Sequence, residues 1–126
     1  MKIKIYQYNK CSTCVKAMKY LDSKKMSYES IAIVEQPPSI TELKRMLSYL
    51  KNRGGTFKNL FNTSGVQYRE LKISEKIKAG LTESESLKLL STNGKLIKRP
   101  FLLTDSDGAV GFDQHIWADI TKQYNL

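Results

Sequence analysis

Sulfur, histidine and long apolar runs are all scarce in this chain. Its 126 residues hold two cysteines and one histidine. Two thiolates and His115 fall one ligand short of a tetrahedral zinc site, and nothing in their spacing recruits a carboxylate to complete it. No apolar run is long enough to cross a bilayer. The opening MKIKIYQYNK is too short and too interrupted in its apolar part for a secretory signal. A cytoplasmic location is therefore expected, without membrane contact. In that reducing compartment a permanent structural disulfide is not expected. Acidic side chains are also few, 12 against 21 lysines and arginines, for a net charge of +9. That excess fits an acidic partner, a nucleic acid or plain solubility. The lysines are spread, with one modest cluster at NGKLIKRP, Asn93 to Pro100. Neither a zinc-finger nor an aromatic RNA-binding pattern is present, so sequence-specific DNA binding is not expected.

What is present reads as one domain, residues 1–126, large enough for a core without staples. Lys2 to Tyr8 alternates, Ile3 and Ile5 facing one way and Lys2 and Lys4 the other, as in a strand with one buried face. Val15, Met18 and Leu21 then recur at helical spacing and predict a helix from about Ser12 to Lys24. Tyr28 to Val34 reads as a second strand. Pro37 and Pro38 stop regular structure. Ser39 and Glu42 form a capping box ahead of the stripe Ile40, Leu43, Met46, Leu47 and Leu50, in a helix ending near Asn52 to Gly55. Phe57, Leu60 and Phe61 fit a short turn or helix, and Asn62 to Gly65 a loop. Ser74 and Thr82 are candidate helix caps, Thr82 pairing with Glu85 ahead of Leu87, Leu89 and Leu90. Strand character returns at Leu96, Ile97 and the FLLT run. Asp105 to Gly108 signals a hairpin turn, with Ala109 to Phe112 returning. Asp113 can cap a last helix carrying Ile116, Trp117, Ile120 and Tyr124, stapled by Phe112 on Trp117. Two parallel strands and a terminal hairpin make a four-stranded mixed sheet. The fold class is α/β, thioredoxin-like, with a helical insertion over about residues 39–92.

Both cysteines stand in NKCSTCVKAM, at the first strand-to-helix junction. The first turn of a helix offers unpaired N–H groups and a positive dipole end. Cys11 precedes that turn, with Lys10 and Lys16 adding positive charge. A lowered pKa there makes Cys11 the nucleophile. Cys14 lies one turn further in, and is the resolving cysteine that attacks the mixed disulfide. The competing reading is two buried thiols packed as small hydrophobes. Arg99-Pro100 precedes an extended run and is compatible with a cis bond that brings backbone beside the cysteine loop. Arg99 would then stand near Cys11, to hold an anion, stabilise the thiolate or pair with a surface carboxylate. His115 is not a catalytic candidate. Tyr6, Tyr8, Tyr68 and Trp117 read as core or half-buried aromatics, and Lys95 and Lys98 as solvent-facing charges. No cofactor is implied.

A resemblance rests on these same segments. YNKCSTCVKAMKYLD, VEQPPS, LFNTSGVQYREL and LIKRPFLLTDSDGAVGFD resemble the arsenate reductase related family of thioredoxin-like proteins, in order and over essentially the whole chain. That family joins glutaredoxin-coupled arsenate reductases to the Spx/MgsR transcriptional regulators. The likeness is greatest to small uncharacterised Gram-positive members. Likeness to the reductases implies one cysteine attacking an oxyanion held by three arginines. Cys11 matches the cysteine and Arg99 the arginine of the R-P motif. Asn62 and Phe112 fall near the other two arginine positions, and neither supplies a guanidinium. Likeness to Spx implies a C-x-x-C redox switch at Cys11 and Cys14, read by Arg99. It also implies that the insertion, near Gly54 or Gly55, binds the C-terminal domain of the RNA polymerase α subunit. The leading expectation is a thiol-disulfide oxidoreductase using Cys11, Cys14 and Arg99, supported by Lys10 and Pro100. Its partner is a low-molecular-weight thiol or a thioredoxin- or glutaredoxin-like donor. A redox-sensing polymerase partner and an arsenate reductase are the alternatives.

Overall fold

The computed structural model describes residues 3–122. Strand β1 (Lys4–Gln7), helix α1 (Ser12–Ser23) and strand β2 (Glu29–Ala32) open the chain. A helical stretch follows: α2 (Ile40–Asn52), a 3-10 turn (Phe57–Leu60), α3 (Val66–Glu70), α4 (Ile73–Lys78), α5 (Glu83–Thr92) and a second 3-10 turn (Gly94–Leu96). Strands β3 (Phe101–Leu103) and β4 (Gly108–Val110) and helix α6 (Gln114–Thr121) complete the order. The sheet runs β2-β1-β3-β4, with β1 parallel to β2 and the other pairs antiparallel. This is the mixed sheet with helical insertions of a thioredoxin-like α/β fold. Among the described residues, no helix is long and apolar enough to cross a membrane.

Alternation along the central strands divides the core between the two faces of the sheet. Ile3, Ile5 and Leu102 pack with Ala17, Leu21, Trp117 and Ile120 of α1 and α6. Tyr6, Phe101 and Leu103 pack on the other face with Leu43, Met46, Leu90 and the rest of the insertion. β1 is therefore buried on both faces. The single buried face expected from its lysines is corrected, because the insertion covers the Tyr6 side. Lys2 lies outside the described residues, as does Tyr124.

The buried face of α1 is also one position away from the expected stripe. Cys14, Ala17, Tyr20 and Leu21 are buried, whereas Val15 is 38 % exposed. That side faces the sheet and α6, where Ala17, Tyr20 and Leu21 pack with Ile5, Leu102, Trp117 and Ile120. Ser74 does not cap α4. That helix starts after Lys72, which adopts a left-handed backbone, and no side chain caps it. Leu96 and Ile97 are not a strand. Leu96 closes the second 3-10 turn, and Ile97 makes an isolated antiparallel bridge with Phe61. The capping boxes at Ser39–Glu42 and Thr82–Glu85 both form, and Asp113 caps α6. Phe112 stacks edge-on against Trp117 with ring centres 5.0 Å apart.

Helix α2 is clamped to the sheet at both ends. Arg53 donates to Gly108 O and to Asp107 Oδ2, each at 2.8 Å, and Arg45 donates to Thr104 O at 2.6 Å. At the other end Glu42 accepts from Tyr6 Oη at 2.5 Å and from Lys4 Nζ at 3.1 Å. Burial pushes the Glu42 carboxyl up, but hydrogen bonds from Tyr6 and Lys4 and the Lys4 charge outweigh it and hold it below its ordinary value of 4.5. A carboxyl depressed only in the folded state adds stability in full above the unfolded value. That stability drains away as pH falls through the folded value. The urea midpoint of the wild type should therefore fall more than that of Glu42→Gln between about pH 6 and about pH 3. Parallel midpoints would sink this account.

Gly94 joins the insertion to the sheet at a point with no room for a side chain. A Cβ there would stand 1.9 Å from Ile33 O. Gly94→Ala must pry the second 3-10 turn off the end of β2, and is expected to cost about 2 kcal/mol or more. An unfolding midpoint equal to wild type would contradict this.

Candidate functional site

Cys11 is the N-cap of α1, with extended backbone, and its Sγ accepts from the Cys14 backbone N–H at 3.3 Å. The loop before it is closed by the Cys11 N–H donating to Tyr8 O at 3.0 Å. Cys11 is half-buried and Cys14 fully buried, both as free thiols. The expected geometry is therefore formed: one thiol at the mouth of the helix, the other one turn behind it. Only Cys14 fits the description of a buried thiol.

The two sulfurs are driven apart in acidity. For Cys11, burial pushes the pKa up. Hydrogen bonds from the Cys14 thiol and backbone N–H, then the charge and hydrogen bond of Arg99, outweigh burial and hold it below 9.0. For Cys14, burial and the hydrogen bond with Cys11 push the thiol up to about 12, against a smaller pull from the Tyr8 backbone. The thiol at the rim therefore ionises more readily than the one beneath it, the asymmetry that thiol exchange uses.

Arg99 reaches Cys11 from the segment before β3. The Arg99-Pro100 peptide bond is cis, and Pro100 is buried. The Arg99 guanidinium lies over the Tyr8 ring, with Cζ 4.6 Å from its centre. Among the described residues it makes no ion pair with a carboxylate. The reading of Arg99 as a partner of a surface carboxylate therefore fails, and its charge faces Cys11 instead. Tyr8 is the platform for that charge, a role sequence reasoning did not assign. Its position two residues after Tyr6, one past the end of β1 and just before the cysteine loop, was the available signal.

A cleft of about 720 Å³ surrounds Cys11, and Lys10, Lys98 and Arg99 line it. Lys16 does not; it projects from the exposed side of α1. Asn62 and Phe112, the positions compared with two further arginines, both reach the same cleft. His115 is exposed and outside it, its backbone N–H bound to Asp113. Lys98 is solvent-exposed, as expected, and its side chain also lines the cleft. Among the described residues, no three histidine, cysteine, aspartate or glutamate side chains converge where they could hold a metal ion.

Residues 6–120 match the ArsC family. The chain is 44 % identical over 114 residues to the uncharacterized protein YusI of Bacillus subtilis, covering 90 % of this chain and 93 % of that one. It is 29 % identical over 115 residues to the global transcriptional regulator Spx of Streptococcus mutans, covering 90 % and 80 %. An ArsC family related protein of Bacteroides fragilis, known as a crystal structure, superposes with a TM-score of 0.85 at 42 % identity, over 95 % and 99 % of the two chains.

Proposed function

The chain belongs to the ArsC family, to which the Spx and MgsR regulators are related, and on that premise we propose that it is a thiol-disulfide oxidoreductase. One observation carries this reading: two free thiols stand across the first turn of α1, Cys11 half-buried with its Sγ on the Cys14 N–H and Cys14 fully buried behind it. The Cys11 thiolate attacks one sulfur of a disulfide, forming a mixed disulfide and releasing the first thiolate. Cys14 then loses its proton and attacks Cys11 Sγ, releasing the second. The substrate gains two electrons and the protein is left with a Cys11–Cys14 disulfide. A low-molecular-weight thiol or a thioredoxin- or glutaredoxin-like donor restores the dithiol. Timing is built into the pair. Part of what raises Cys14 is the hydrogen bond with Cys11 and its charge. Both disappear once Cys11 is in a mixed disulfide, so Cys14 loses its proton more easily then than in the resting dithiol, although burial still holds it up.

The deciding experiment is the reduction potential of the pair in a defined thiol buffer, with the bond confirmed by mass spectrometry. Reversible closure within or below the cytosolic poise, about −220 to −320 mV, supports a reductase. Absence of any Cys11–Cys14 bond would remove the mechanism. The second reading is a redox sensor that contacts the α subunit of RNA polymerase. It is favoured by the likeness to Spx and by exposed Gly54 at the end of α2, with φ of 84°. A clearly more oxidising potential, together with capture of that polymerase subunit, would select it. An arsenate reductase is the third reading, supported by Cys11 and Arg99 sharing one cleft. Asn62 and Phe112 offer no second or third guanidinium, so arsenate turnover is expected to be weak.

A further inference from the structure

Arg99 stands between two adjoining hollows. One holds Cys11, Lys10 and Lys98. The other, of about 340 Å³, is lined by Tyr8, Gln67, Glu70 and Lys95. Both are bordered by Asn62, Val66 and Arg99. The reactive sulfur thus lies at one side of an open, two-lobed concavity whose size suits a small molecule.

Charge in the first lobe is unbalanced. Lys10, Lys98 and Arg99 line it, and among the described residues none of them pairs with a carboxylate. Its one acid, Asp113, has Oδ1 occupied by the backbone N–H groups of His115 and Ile116 at 2.9 and 3.1 Å. Exposed Lys98 lines the lobe and runs close beside Gly111. A Cβ on Gly111 would lie 3.0 Å from Lys98 Cε and 3.7 Å from Nζ. Gly111 also takes a φ of 74°, which glycine adopts without strain. Arg99 is committed to the Cys11 sulfur and the Tyr8 ring. Lys98 is left to meet groups on the substrate away from the reacting bond.

We propose that Lys98 is a specificity-determining residue of this site, and that its substrates are small disulfides whose halves carry carboxylates. This rests on the oxidoreductase reading and names the substrate class. The half that becomes bonded to Cys11 places its carboxylate on Lys98, with Lys10 close by, and the leaving half occupies the second lobe. The reaction is the exchange already described: two thiolates are released and the Cys11–Cys14 bond forms.

The test uses fully reduced protein in single turnover, with Cys11–Cys14 formation followed by quenched mass spectrometry. The probes are dithiodiglycolate (a dianion), bis(2-hydroxyethyl) disulfide (neutral) and cystamine (a dication). Each rate is divided by that of the same disulfide with mercaptoethanol, which removes intrinsic reactivity. The expected order is dianion, then neutral, then dication. Lys98→Met should lower the dianion-to-neutral ratio by about threefold to tenfold, and Lys98→Arg should restore it. Lys44→Met, which removes an exposed charge on α2, should leave the ratio as in wild type. A flat charge order, an order that survives Lys98→Met, or a faster reaction with the disulfides of insulin would each overturn the proposal. If even the neutral disulfide fails to close the pair while Cys11 remains alkylatable, the oxidoreductase reading fails and this inference falls with it.

Discussion

Reduced Cys14→Ser protein, mixed with a small disulfide, should retain one equivalent of the thiol on Cys11 and hold it. Wild type under the same conditions should show only the loss of two hydrogens. Cys11→Ser should show neither product, with exchange slower by about a thousandfold or more. The asymmetry follows from position. Cys11 sits at the rim of its cleft, with its sulfur on a helix N-terminus and a guanidinium beside it. Cys14 is fully buried. Removing Cys11 takes away the hydrogen bond and charge that raise Cys14, but burial is the largest cause of that rise and it remains. Cys14 therefore cannot take over the attack on an external disulfide. It reaches only the sulfur one turn away. Intact-mass spectra over a time course measure all three outcomes. Rapid loss of the adduct from Cys14→Ser would sink the assigned order of attack, as would undiminished exchange by Cys11→Ser.

Local chemistry makes much of this site legible in the sequence. A cysteine ahead of a helical run has one consequence, an Sγ on the first-turn N–H groups, and that bond forms at 3.3 Å. Capping residues were equally readable, because Ser39, Thr82 and Asp113 act within one turn of themselves. Arg99-Pro100 ahead of an extended run pointed to Arg99 near Cys11, and the family likeness pointed the same way. What could not be read were effects of distant segments. Val15 looked buried, but the side of α1 that meets the sheet and α6 carries Cys14, Ala17, Tyr20 and Leu21 instead. Ser74 looked like a cap, but the left-handed turn at Lys72 starts that helix two residues earlier. Lys98 and Tyr8 belong to the site through contacts with Gly111 and Arg99, which no local pattern announces.

Replacing Arg99 by methionine should slow Cys11 alkylation by iodoacetamide at pH 7 severalfold, and the cause should be visible in the shape of the pH profile. Burial works against the Cys11 thiolate, and the favourable side includes two contributions from Arg99, its charge and its hydrogen bond. Without them the Cys11 pKa rises, so less thiolate exists at neutral pH and the rising limb moves to higher pH. At high pH the sulfur is ionised in both proteins. There the variant should equal or overtake wild type, because a less stabilised thiolate is the stronger nucleophile. Crossing curves are the signature of an electrostatic role. A merely structural role would instead depress the rate at every pH and leave the midpoint where it was. Arg99→Lys should lie between the two, since an ammonium restores the charge without the fork or the stacking on Tyr8. The same logic fixes the sign of the redox change. Arg99 stabilises the thiolate, which exists only in the dithiol state, so its removal should move the Cys11–Cys14 potential to more reducing values. A potential that stays fixed while the alkylation profile shifts would mean that Arg99 stabilises the disulfide state as much as it stabilises the thiolate.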